Sequence, residues 1–152
     1  MPAIRYSTAV DARPNEPEEV ALIEYTTRTP LEVEDVIRVF RSSGIRRPID
    51  DPPRIARMLA AATLVVSAWD GNRMVGVARS LTDFSYACYL SDLAVDGEYQ
   101  KQGIGRGLIE HTREEIGPEV LLLLVSVPSA MEYYPRLGFE RSERTFLIPR
   151  ER

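Results

Sequence analysis

Val95-Asp96-Gly97-Glu98-Tyr99-Gln100-Lys101-Gln102-Gly103-Ile104-Gly105-Arg106-Gly107-Leu108 is the stretch on which the reading of the fold turns. An apolar run ends at Val95, a polar loop follows, and Gly103, Gly105 and Gly107 open a helix. Glycines without side chains let a ligand approach main-chain N–H groups closely. The first turn of a helix leaves such donors without internal partners, and its dipole favours negative charge. Strand, glycine loop and helix start thus make a cradle for a phosphate or diphosphate, with Lys101 and Arg106 adding positive charge at its rim.

Two familiar phosphate loops do not fit. A Walker-type loop ends in Gly-Lys-Ser/Thr, which is missing here. A dinucleotide fingerprint requires a third glycine where Leu108 stands. The spacing Gln100-x-x-Gly103-x-Gly105 directly after Leu93-Ala94-Val95-Asp96 instead resembles the acetyl-CoA loop of the GCN5-related N-acetyltransferases (GNAT). A proline that usually follows in that family is replaced by Gly97, which changes loop stiffness and not the donors. About thirty residues on, Ala130-Met131-Glu132-Tyr133-Tyr134-Pro135-Arg136-Leu137-Gly138-Phe139 is similar to the family's Ala-x-x-Phe-Tyr-x-x-x-Gly-Phe element. Val127 stands where many members carry an asparagine that touches the cofactor.

Composition sets limits around these motifs. A chain of 152 residues is expected to form one domain, with residues 1–17 loosely ordered, and the resemblance implies that this is a single N-acetyltransferase domain. It is 44% hydrophobic, yet it has no apolar run of membrane-spanning length and no N-terminal signal pattern. A cytoplasmic protein without membrane contact is the expectation. A lone Cys88 and a lone His111 exclude an internal disulfide and leave little for a metal. A formal charge of −4 argues against nucleic acid as partner and mildly suits a cationic substrate such as an amine.

Periodicity supplies the rest of the plan. Glu19–Tyr25 reads as a strand, with a short helix as the alternative. Leu31–Phe40 carries Val33, Val36, Ile37 and Phe40 at helical spacing and stops at Gly44. A second helix is predicted from Pro53 to Ala62 after a proline-stiffened loop containing Arg46-Arg47. Strands follow at Leu64–Trp69 and Met74–Arg79 around the turn Asp70-Gly71-Asn72, then at Ala87–Val95. A helix opens near Ile104 and ends at Gly117-Pro118. The apolar run Val120–Val125 is predicted to be a strand buried on both faces. A short helix over Pro128–Tyr134 and a last strand over Phe139–Ile148 complete an α+β plan.

The order matches the GNAT fold from Glu19 onward. The resemblance implies a mixed, mostly antiparallel twisted sheet with flanking helices and splayed central strands. It implies acetyl transfer from acetyl-CoA, without a metal, to a primary amine of a small molecule. Protein lysine or N-terminal acetylation, or a non-catalytic acyl-CoA sensor, are the alternatives. The implied cofactor contacts are the backbones of Leu93, Ala94 and Val95, which hold the acyl-pantetheine arm, and the loop Gln100, Lys101, Gln102, Gly103, Ile104, Gly105 and Arg106. The N–H of Leu93 or Ala94 would polarise the thioester. Tyr134 takes the place of the family tyrosine on the coenzyme sulfur, and a phenol protonated up to about pH 10 suits a general acid. Asp92 is the candidate general base, with Asp83 and Ser91 as lesser alternatives. Cys88 reads as a strand hydrophobe, His111 as a helix-surface residue and Arg46-Arg47 as a solvated loop or a rim of the substrate entrance. Homodimers are common in the family, and Phe146-Leu147-Ile148 could pair between chains.

Overall fold

Five strands hydrogen-bond in the order of the sequence, β1-β2-β3-β4-β5. They are β1 (Ile23–Thr26), β2 (Leu64–Asp70), β3 (Arg73–Thr82), β4 (Ala87–Val95) and β5 (Leu121–Leu123). The first four are antiparallel, and β5 lies parallel to β4. Helices α1 (Val33–Ser43), α2 (Pro52–Ala61) and α3 (Ile104–Ile116) flank the sheet, giving the mixed α+β architecture expected. This computed structural model describes residues 22–152. The irregular start expected over 1–17, and residues 19–21 of the expected first strand, lie outside the described residues.

Local chemistry accounts for the helix ends. Gly44 adopts φ +82° after α1 and returns its N–H to the Arg41 carbonyl, a conformation open to glycine without a side-chain clash. The Asp51 carboxylate caps α2 by accepting from the Arg54 N–H, and two prolines occupy the first helical positions where no N–H is needed.

Each face of the sheet has its own core. Val36, Val39 and Phe40 of α1 pack with Ile55 of α2 on Met74, Val77 and Ala94. On the opposite face Ile104, Leu108 and Ile109 of α3 pack on Val66, Val75, Ala78 and Leu90. Both faces of β3 and β4 are therefore covered, and β4 borders the cleft described below.

The last third departs from expectation in three places. The Val120–Val125 run forms only a three-residue strand, and it is not buried on both faces: Leu121 and Leu123 are 61% and 38% exposed. It is an edge strand, paired to β4 alone among the described residues, so one side meets solvent. The short helix expected over Pro128–Tyr134 is instead two 3₁₀ turns, Pro128–Ala130 and Tyr134–Leu137, the second ended by Gly138 at φ +94°. The final strand expected over Phe139–Ile148 does not form; among the described residues Phe146, Leu147 and Ile148 pair with no strand, and they stand exposed.

Candidate active site

The cleft begins with an irregularity in β4. Arg79 pairs with Asp92 and Ser80 with Leu90, so Ser91 is an extra residue without a partner on β3. One inserted residue reverses which way later side chains point. Cys88 and Leu90 thus face the α3 core, whereas beyond the bulge it is Leu93 and Val95 that do so. Ala94 faces α1.

The bulge is held by charged groups. Asp92 is completely buried, and its two carboxylate oxygens accept from Nε of Arg47 and Nε of Arg79, each at 2.5 Å. Arg47 also donates to the Ser91 carbonyl at 2.7 Å, and Arg79 to the Ser91 hydroxyl at 2.9 Å. A general base needs a lone pair that reaches the substrate, and both Asp92 oxygens are committed elsewhere. Ser91 sits beside it, its hydroxyl donating to Asp92. Asp83 lies in the exposed turn before β4; the backbone N–H groups of Tyr86, Ser85 and Ala87 hold its carboxyl below the ordinary range.

Next to the bulge the sheet opens. The parallel ladder joins Ala87, Cys88 and Tyr89 to Leu121, Leu122 and Leu123, and it ends there. Beyond it β4 and the segment Leu124–Val127 border a cleft of about 990 Å³. The Asp96 N–H donates to the Val75 carbonyl. Because antiparallel strands alternate their bonding direction, the main-chain groups of Ala94 turn to β3 as well. Those of Leu93 and Val95 turn to the cleft, where the side-chain amide of Gln100 donates to the Val95 carbonyl at 3.0 Å.

The glycine loop closes one end. Lys101 and Gly103 have φ of +65° and +84°, and Gly103 leads directly into α3. Gln100, Lys101, Gly103, Ile104, Gly105 and Arg106 line the cleft, while Gln102 donates back to the Glu98 carbonyl. A side chain on Gly105 would collide with the Tyr133 hydroxyl, so this glycine lets the tyrosine rest on the first helical turn. Asp96 anchors the loop from below. It is buried and accepts from Arg38, Arg73, Ser42 and the Glu98 N–H.

Tyr134 stands across the cleft from β4, edge-on to Tyr133 at 5.3 Å and to Phe139 at 5.7 Å. Burial, aided by Tyr133, pushes its phenol above the ordinary value, against the opposing pull of Arg47. Cys88 is buried in β4. His111 stacks on Tyr25 at 4.5 Å and bonds the Gly107 carbonyl, so it is tied into the helix–strand packing. Of the two readings the sequence left for Arg46-Arg47, the position beside the cleft is the one observed; Tyr133, also in the lining, had no role assigned from sequence. No group of carboxylates, histidine and cysteine suited to a metal occurs among the described residues.

Comparison with known proteins identifies the family and the fold. Residues 41–147 match the family model described as an acetyltransferase (GNAT) domain. A histone acetyltransferase of Glycine max is 34% identical over 73 residues, spanning 45% of this chain and 30% of that protein. The chain therefore matches under a third of this relative's length. Among solved structures, a GNAT-family acetyltransferase of Streptococcus pneumoniae superposes with a TM-score of 0.66 at 23% identity, covering 86% of this chain and all of the other. The ribosomal-protein-S18-alanine N-acetyltransferase of Escherichia coli gives 0.66 at 20% identity, covering 80% and 79%. Identities this low speak for the fold alone.

Proposed function

This chain belongs to the GNAT acetyltransferases, and from that premise we propose that it transfers an acetyl group from acetyl-CoA to a primary amine of a small molecule. The observation that carries this reading is the end of the β4–β5 ladder at Tyr89, which leaves the main-chain groups of Leu93 and the N–H of Val95 facing the cleft beside a glycine-led helix start, the Val95 carbonyl being taken by the Gln100 amide. An extended amide-bearing arm can pair there as a strand would. A diphosphate can then rest on the amides of residues 101–106, between Lys101 and Arg106.

In this reading the Leu93 N–H is the donor for the thioester oxygen, since Ala94 is turned to β3. A fixed donor aimed at the developing oxyanion supplies much of the acceleration in acyl transfer. The neutral amine nitrogen attacks the carbonyl carbon, a C–N bond forms, and collapse of the adduct breaks the C–S bond. Tyr134 gives its phenolic proton to the departing sulfur, and the proton lost by nitrogen restores the phenol through solvent. Its raised pKa keeps that proton in place at working pH.

Asp92 is assigned a positioning role and not that of base: held by Arg47 and Arg79, it fixes the bulge. Removal of the ammonium proton is left to solvent. The logarithm of kcat/KM should then climb with unit slope until the pKa of the acceptor itself, and changing the acceptor should move the break. A break fixed at one pH for all acceptors would return the role to a protein group.

Two measurements test the proposal. Calorimetry should detect coenzyme A binding, and acetyl-CoA with an amine should release free thiol. Absence of binding overturns the reading; tight binding with no release for any amine supports an acyl-CoA sensor instead.

A further inference from the structure

Although the chain as a whole is acidic, every charged side chain lining the cleft is a cation among the described residues: Arg46, Arg47, Lys101, Arg106 and Arg136. Three of them gather around the glycine loop. Arg106 donates to the Arg136 carbonyl, and Lys101 sits in the loop itself. Their charge suits the phosphates of a coenzyme. Arg46 and Arg47 belong elsewhere. They sit in the connection between α1 and α2, and Arg47 is bonded to Ser91, four residues before Val95 on β4. At about 3.3 Å per strand residue this places it roughly 13 Å from the loop end. It is close enough to Tyr134 to pull on the pKa of that phenol. The positive charge therefore stands at the reacting end, where an acceptor must enter.

The buried carboxylate does not cancel it. Asp92 offsets only one of the two arginines it binds, so the Arg47–Asp92–Arg79 cluster keeps one net positive charge, and Arg47 is its member on the cleft. Arg47 uses three of its five N–H donors, on Asp92, Ser91 and Arg46. The remaining ones are free to hold an oxyanion in the planar geometry that guanidinium favours. A polyamine or a lysine-rich peptide brings further ammonium groups to a wall without a carboxylate, and like charges there repel.

Building on the proposed transfer reaction, we infer that the acceptor is a small amine that also carries an anionic group, a carboxylate or a phosphate, received by Arg47 with Arg46 at the entrance. The anion directs the amine past Tyr134 toward the thioester carbon, and it is the feature by which this site selects.

The test uses acceptor pairs matched in the amine but not in charge: 4-aminobutyrate against butylamine, and glucosamine 6-phosphate against glucosamine. Spermidine and a lysine-rich peptide are added as cationic competitors, and thiol release from acetyl-CoA is followed with the full chain. In at least one pair the anionic member should lead by about tenfold to a hundredfold in kcat/KM, the range expected for a charge-assisted hydrogen bond. The pair that shows the preference distinguishes carboxylate from phosphate. Arg47→Gln should remove most of it through KM, and Arg47→Lys should restore part of it. Arg46→Glu, at an exposed position, should lower it without disturbing the fold, which keeps the test decisive if Arg47→Gln unfolds. Turnover confined to spermidine or the peptide overturns the inference. So does an absence of turnover with both anionic amines, or a preference that survives both Arg46→Glu and Arg47→Gln. If coenzyme A fails to bind in calorimetry, the parent reading has failed and not this extension of it.

Discussion

Asp92 and Asp96 lie four residues apart at the two ends of one cleft, and both are buried carboxylates shared between two arginines. Their surroundings differ. Asp96 draws Arg38 and Arg73 from partly exposed positions and spends its other bonds on Ser42 and the Glu98 N–H. It builds a backbone shape, the loop that precedes α3. Asp92 is bound to Arg79, itself buried, and to Arg47, which faces the cleft. It holds a side-chain charge in place. The comparison teaches that one end is made of main-chain donors, which the proposed function gives to the coenzyme. The other end is made of side chains, which it gives to the acceptor.

The largest effect expected separates the two ends by function. Tyr134→Phe should lower kcat by roughly two to four decades while coenzyme A affinity measured by calorimetry is kept. A parallel loss of affinity would show that the two ends are not independent. Next in size, Asp92→Ala should cost about 3–5 kcal/mol in denaturant unfolding, because Arg79 is left charged in the interior. Asp96→Ala should cost less, about 2 kcal/mol, because Arg38 and Arg73 can turn to water. Equal costs would erase the distinction drawn here.

Acid sharpens it further. Burial pulls the Asp96 carboxyl upward, but the Glu98 N–H, the Ser42 hydroxyl and Arg73 together outweigh it and hold the pKa below 3.8. A group depressed in the folded state stabilises fully above its unfolded pKa and loses that contribution as pH falls through the folded one. Stability should therefore drop below about pH 4, and Asp96→Asn should flatten that part of the profile in thermal unfolding. The smallest effect is expected at the loop, where Gly103→Ala meets no neighbour but must take φ +84°, costing about 1 kcal/mol.

Much of this was legible in the residues. The bounds of β4 follow from its apolar run and the start of α3 from its glycines, because both signals are local. The fate of Val120–Val125 was not: six apolar residues specify a strand but not how many neighbours it will have. Phe139–Ile148 fails for a related reason. Its end is apolar, but Glu140, Arg141, Glu143 and Arg144 offer no apolar face, and among the described residues no strand pairs with it. The Arg47–Asp92 contact joins residues 45 apart, and no local pattern could reveal it. The bulge at Ser91 leaves no local signal in the sequence; it is held by Arg47, 44 residues away, and by Arg79 on the neighbouring strand.

The early end of the β4–β5 ladder has one more consequence. An unsatisfied strand margin is a template for any extended polypeptide, so the chain carries a standing risk of self-association. Occupancy by the thioester carrier would cap that margin. If the proposed reaction is right, acetyl-CoA should then raise the temperature at which the protein begins to aggregate.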